Sequence, residues 1–214
     1  TALYPFRDSF YRKLGYGLAG EVHQYLVTPD LLPDHPARSR VRLVALMEER
    51  ATLAAIYGAW TPLQTGQLQR SDRAWDRIWE GGARHGVIAY DAAGRPRGYL
   101  VFRYLDEMVG GKRTIDVEEV VWLDHEARLA LYGWMSSLGD QWGHLVYRAH
   151  PQEAFPEFLA NHQMPLSDLP RWHHWFPACV VLNGPMFRLL NVERALAERT
   201  VRAGAPLVVA LEVQ

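Results

Sequence analysis

The run at residues 113–123 constrains the fold of this chain more than any other. Ile115 and Val117 alternate with polar neighbours, and after Glu118-Glu119 the apolar positions become Val120 and Trp122. Side chains alternate across a strand with a period of two. A run that keeps its strand character while changing phase therefore predicts one extra residue near Glu118-Glu119, a β-bulge. The partners for such a strand lie just upstream. Residues 86–90 and 98–105 read as strands joined by the hairpin Asp91-Ala92-Ala93-Gly94-Arg95-Pro96. Neighbouring strand residues point to opposite faces, so Glu118 and Glu119 are expected to diverge, one of them solvated, and not to act as a carboxylate dyad.

Around these strands the pattern alternates between helix and strand. Residues 8–14 read as a helix ended by Gly15, and 21–27 as a strand. Three prolines at 29, 33 and 36 predict a stiff, extended connector that separates domains. A short strand follows at 41–44, then a helix at 48–60 with Leu53, Ile56, Tyr57 and Trp60 on one face. Ser71 is placed to cap a second helix carrying Trp75, Ile78 and Trp79, which Gly81-Gly82 would stop. Asp124 caps a helix to Leu138, with Leu131, Trp134, Met135 and Leu138 as its apolar stripe. Strands are expected at 144–148, 178–182 and 187–190, a short helix at 156–162, and a helix at 192–199 capped by Asn191. The expected fold class is α+β, a mixed α/β arrangement with a mostly antiparallel central sheet flanked by helices.

Composition narrows the function classes. With 214 residues and a net charge of −1, the chain has no bulk attraction for nucleic acid or anionic membrane. No apolar run reaches the ~18 residues of a membrane span. Cys179 is the only cysteine, which excludes an internal disulfide and points to a cytoplasmic location; within Cys179-Val180-Val181-Leu182 it reads as a small apolar packing residue and not as a thiol nucleophile. His173-His174 diverge as neighbours and do not make a metal site, so no metal is expected. Eight tryptophans and ten tyrosines suggest large packed surfaces or an aromatic-lined pocket.

The last run, 206–213, is apolar and β-branched with no turn after it, and residues 3–16 read as the middle of a fold. Both ends therefore suggest a window on a longer protein. Arg12-Lys13-Leu14-Gly15-Tyr16-Gly17 fits a coenzyme A pyrophosphate loop in letters only. Such a loop must open a helix, because the anion sits on free N–H groups there, and here it closes one. Phe10-Tyr11-Arg12-Lys13-Leu14-Gly15-Tyr16 instead resembles a sequence late in acetyltransferases of the GNAT superfamily. Together with Ala2-Leu3-Tyr4-Pro5, with Val117-Glu118-Glu119-Val120 through Gly139-Asp140, and with Phe187-Arg188-Leu189-Leu190-Asn191, it is similar to the enhanced-intracellular-survival (Eis) family of aminoglycoside and lysine N-acetyltransferases.

That resemblance implies a GNAT-like acyl-CoA N-acyltransferase fold. It implies residues 1–28 as the tail of a first GNAT domain, 29–40 as a Pro-rich linker, 41–184 as a central degenerate GNAT domain and 185–214 as the start of a sterol-carrier-like domain. It implies acetyl-CoA as cosubstrate, with its binding loop outside this chain, and an amine-bearing small molecule or a lysine side chain as acceptor. It implies Tyr11 as the general acid to the departing thiolate. A homo-oligomer is expected. In the central domain the turn after strand 113–123 is Leu123-Asp124-His125-Glu126-Ala127, whose carboxylates would repel a pyrophosphate. The alternative function is a non-catalytic assembly or ligand-binding module.

Overall fold

The computed structural model describes residues 1–64, 66–79, 83–106, 111–164 and 177–199. Gly81-Gly82, His173-His174 and the run 206–213 lie outside the described residues. In chain order the strands are β1 (Ala2–Leu3), β2 (Gly17–Leu18), β3 (Glu21–Val27), β4 (Val41–Val44), β5 (Arg84–Tyr90), β6 (Pro96–Tyr104), β7 (Thr114–Trp122), β8 (His144–Ala149), β9 (Val180–Asn183) and β10 (Met186–Phe187). The α-helices are α1 (Asp8–Arg12), α2 (Arg50–Trp60), α3 (Asp72–Trp79), α4 (His125–Ser136) and α5 (Val192–Ala197). They form two compact units, Glu21–Leu182 and, separately, Thr1–Gly20 with Asn183–Gln214.

The larger unit is built on a seven-stranded sheet in the order β4-β5-β6-β7-β8-β3-β9. Every register given for it is antiparallel except β7 with β8. The bulge is where the change of phase puts it. Val101 pairs with Glu119 and Phe102 with Val117, so Glu118 is the unpaired extra residue. The expected divergence of the two carboxylates is corrected. A bulge cancels the alternation locally, and Glu118 joins Glu119 on one face, with each side chain only 22% exposed.

Each face of the sheet carries its own core. On one side α4 covers Val87, Leu100, Phe102, Ile115, Val117 and Leu145. The helix does so because Ala127, Ala130, Leu131 and Met135 recur at helical spacing. On the other side α2 and α3 cover Ile88, Tyr99, Val101 and Val121 through Leu53, Ile56, Tyr57 and Trp75. All of these are at least nine-tenths buried, which is the source of most of the stability of such a sheet.

The Pro-rich stretch is not an extended connector. It forms 3₁₀ turns at Pro29–Leu31 and Pro36–Arg40, and it buries Leu32 and Ala37 in the α4-side core. Proline fixes φ near the value both turns need. Gly133 of α4 permits this packing. A Cβ there would lie 3.0 Å from both the amide N and the carbonyl O of His35. Strand β3, ahead of those turns, is hydrogen-bonded to β8 within the large sheet. The helix expected at 156–162 is a single 3₁₀ turn, Phe155–Phe158, and the strand expected at 187–190 is only β10.

In the smaller unit β10 pairs antiparallel with β1 and β2. Helix α1 is ended by Gly15, whose φ of +79° suits glycine, as the helix-ending reading requires.

Candidate functional site

β7 and β8 form the parallel pair, and their pairing is short. Thr114, Ile115 and Asp116 face His144, Leu145 and Val146, and beyond those positions the two strands run on without paired residues among those described. In α/β sheets, ligands bind at the carboxyl ends of parallel strands where neighbours separate. The helix that follows β7, α4, starts at the same end, with the free N–H groups that attract anions. Sheet topology therefore marks this separation as the place for a ligand.

Side chains fill the separation from both faces. On the α4 side, the hydroxyls of Tyr132 and Tyr147 both donate to Glu153 Oε1, at 2.8 and 2.6 Å. Phe155 stacks on Tyr147 with ring centroids 4.1 Å apart. Burial raises the Glu153 carboxyl above its usual range, and the two hydroxyl donors only partly oppose it. Burial and the neighbouring Glu153 charge push both tyrosines up, so they stay protonated as donors. On the other face Arg148 crosses from β8 to β7. It binds the Asp116 carboxylate and the main-chain carbonyl of Val117, the latter at 3.4 Å.

The start of α4 is closed as well. Asp124 Oδ1 accepts the Ala127 amide at 2.8 Å, and Oδ2 accepts Arg97 Nε at 2.8 Å. Partial burial acts to raise the Asp124 carboxyl, but the amide and the guanidinium outweigh it and hold it below its usual value. Glu126 in the first turn is paired with Arg40. A coenzyme A pyrophosphate would need bare amides and cationic side chains here. The Ala127 amide and the Arg97 and Arg40 side chains are already taken by the carboxylates of Asp124 and Glu126, so the residues present do not fit that group.

The bulge gathers a charged network that the sequence reading did not assemble. Asp116, 3% exposed, is held by Arg103 and Arg148. Glu118 is held by Arg84 and Arg103, and Glu119 by Arg70 and the Tyr99 hydroxyl. A buried carboxylate must be paired to remain charged, and each of these is. The arginines come from sequence-distant places, so only the tertiary fold identifies them. The bulge was the available signal, since it is what puts adjacent glutamates on one face. Among the described residues no cluster of three or more His, Cys, Asp or Glu is arranged to hold a metal ion.

Tyr11 is in α1 of the smaller unit. Its ring is edge-on to Phe6, Phe10 and Tyr16 at 5.2–5.8 Å. Its carbonyl accepts the amides of Leu14 and Tyr16, which closes the turn at Gly15. Cys179 packs, partly buried, against the α4-side core. No described helix is long and apolar enough to cross a membrane.

Comparison with known proteins bears on this geometry. The chain is similar in structure to a GCN5-related N-acetyltransferase from Anabaena variabilis, with a TM-score of 0.73, 19% identity, and coverage of 92% of this chain and 47% of that one. It is similar to a GCN5-related N-acetyltransferase from Kribbella flavida, with a TM-score of 0.67, 20% identity, and coverage of 92% and 45%. It is also similar to Eis1 from Mycobacterium abscessus, with a TM-score of 0.68, 24% identity, and coverage of 96% and 51%. The chain thus spans about half the length of these solved structures. No curated protein sequence matches it. The sequence model of the acetyltransferase (GNAT) domain matches residues 66–189. That match takes in β6, the bulged β7, α4 and β8, and since it covers more than half of the sequence, the chain belongs to the GNAT acetyltransferase family.

Proposed function

We propose that this chain is part of a longer N-acetyltransferase of the Eis kind, and that residues 21–182 serve in it as a scaffold that keeps the GNAT sheet without holding acetyl-CoA. The observation that carries this reading is the closure of the α4 N-terminus by Asp124 within a GNAT fold. The span of about half the length of the similar structures supports the larger parent. In that parent, residues 1–20 close a catalytic GNAT domain, residues 21–28 join the scaffold through β3, and residues 185–214 open a sterol-carrier-like domain.

The reaction is transfer of acetyl from acetyl-CoA to a primary amine of an aminoglycoside, polyamine or lysine type. The amine nitrogen attacks the thioester carbonyl, the N–C bond forms, the C–S bond breaks, the amine loses a proton and the thiolate gains one. Positioning and proton transfer are what a protein supplies to such a step. We assign Tyr11 as the acid to the thiolate. The support is its place in Phe10-Tyr11-Arg12-Lys13-Leu14-Gly15-Tyr16.

The test is steady-state acetyl transfer by the full-length protein against a panel of amines. Tyr11→Phe keeps the ring and its aromatic neighbours and removes only the hydroxyl. The expected loss in kcat is ~10²–10⁴-fold with an unchanged melting temperature. An unaltered kcat would remove Tyr11 from the chemistry. A full-length protein that acetylates none of these amines would remove the enzyme reading.

A further inference from the structure

The Arg70 side chain has the surroundings of a bound ligand. Its guanidinium lies over the Tyr57 ring at 4.1 Å from the centroid and over the Trp75 ring at 4.8 Å. Nη1 donates to Glu119 Oε1 at 3.0 Å, and Nη2 donates to the other carboxylate oxygen. The Tyr99 hydroxyl also donates to Glu119 Oε1 and helps fix the carboxylate. Two aromatic faces with a fork-matched carboxylate are what proteins use to recognise a guanidinium group.

The cage is built by the body of the larger unit, and Arg70 enters it from a loop. Tyr57 and Trp75 are each 5% exposed, with rings edge-on at 5.6 Å, and Tyr99 is fully buried in the sheet. Residues 66–69, which lead to Arg70, are exposed. Among the described hydrogen bonds, this stretch is tied to the body by Tyr57 Oη donating to the Leu68 carbonyl at 2.9 Å. A cavity of about 570 Å³ between α2 and α3 opens beside the cage. It is bordered by Tyr57, Arg70 and Trp75, and its wall also carries Glu48 and the ion pair of Arg50 with Asp72.

We propose that this cage is a cation-binding site which Arg70 occupies from within, and that a soluble alkylguanidinium competes with Arg70 for Glu119. A primary alkylammonium is the weaker ligand, because it is a point charge and cannot match both carboxylate oxygens while lying flat between the rings. Arg70 acts as a tethered competitor, so the free chain binds such ligands more weakly than a variant with the cage emptied. The site does not depend on acetyl transfer, and its test uses no activity.

The experiment is a titration of wild type, Arg70→Ala and Arg70→Ala/Glu119→Gln with N-ethylguanidinium, ethylammonium and neutral N-ethylurea. The readouts are calorimetry and the indole N–H resonance of Trp75, assigned with Trp75→Phe. Arg70→Ala should bind N-ethylguanidinium with a dissociation constant of roughly millimolar order. Ethylammonium should bind at least about tenfold more weakly and N-ethylurea not at all. Wild type should show the same Trp75 shift at about tenfold or more higher ligand concentration. The double variant should show none. Should Arg70→Ala not fold alone, the ligand at about 20 mM, below denaturing concentrations, should restore folded protein by mass action. Three results would overturn the proposal: Arg70→Ala neither binding nor being rescued, equal binding by the double variant, or no Trp75 shift in wild type at any tolerated concentration.

Discussion

Asp124 Oδ1 accepts the amide of Ala127 at 2.8 Å, so α4 begins on a carboxylate of its own chain. This bond is worth the stability of a helix N-cap and costs the fold its anion site. Asp124→Ala should lower stability by about 1 kcal/mol, the usual size of a lost cap. Because the folded carboxyl sits below its unfolded value, its contribution is present above the ordinary aspartate range and lost as the pH falls through the folded value. The difference between wild type and Asp124→Ala in thermal melts should therefore hold at pH 7 and vanish in strong acid. For the wild-type 214-residue chain by itself, calorimetric titration with acetyl-CoA should show no binding in the low micromolar range, roughly −8 kcal/mol. Binding of that strength would mean that the start of α4 opens to admit the cofactor.

Glu118 is the extra residue of the bulge, so its deletion should be tolerated. Removing it leaves Val117 opposite Phe102 and Glu119 opposite Val101, an unbroken ladder with every apolar side chain on its present face. The cost is the carboxylate partner of Arg84 and Arg103, both partly exposed, on the order of 0.2–1 kcal/mol per pair. Deleting Val120 instead shifts the strand end by one residue and turns Val121 and Trp122 to the wrong faces. Denaturant unfolding should show a cooperative transition for the first deletion and none for the second.

Glu153 is buried under two tyrosine hydroxyls, and burial raises its folded value above the unfolded one. Its contribution is then fully present below the unfolded value, near 4.5, and is lost as the pH rises through the folded value. Glu153→Gln keeps an acceptor for Tyr132 and Tyr147 and carries no charge. Its stability relative to wild type should rise steadily as melts are taken from about pH 4 to pH 8. A difference that does not change with pH would show that the folded carboxyl ionises at its unfolded value, without penalty.

Local chemistry was legible in the sequence. The cap at Asp124, the helix end at Gly15, the hairpin at residues 91–96 and the bulge at Glu118 each depend on a few adjacent residues. The physical rule acts at that range, through a side chain bonding an amide two or three residues on, a positive φ, or a change of alternation. The mixed α/β class and the mostly antiparallel sheet followed from the order of such segments, and the resemblance to GNAT acetyltransferases rested on short motifs in the right order.

What lay beyond reach depended on contacts between distant residues. β3 reads as a plain strand, and nothing local in it says that it pairs with β8, more than a hundred residues away. The prolines at 29, 33 and 36 dictate φ but not direction. Whether they extend a connector or fold turns against α4 was decided by Gly133, which leaves room for His35. The adjacent carboxylates Glu118 and Glu119 looked divergent because alternation is a local rule. The pairing of β7 with β6 overrode it, and the fold then brought Arg70, Arg84 and Arg103 from other elements to neutralise them. Charge burial is affordable only when its partners are in place, and that condition belongs to the tertiary structure alone.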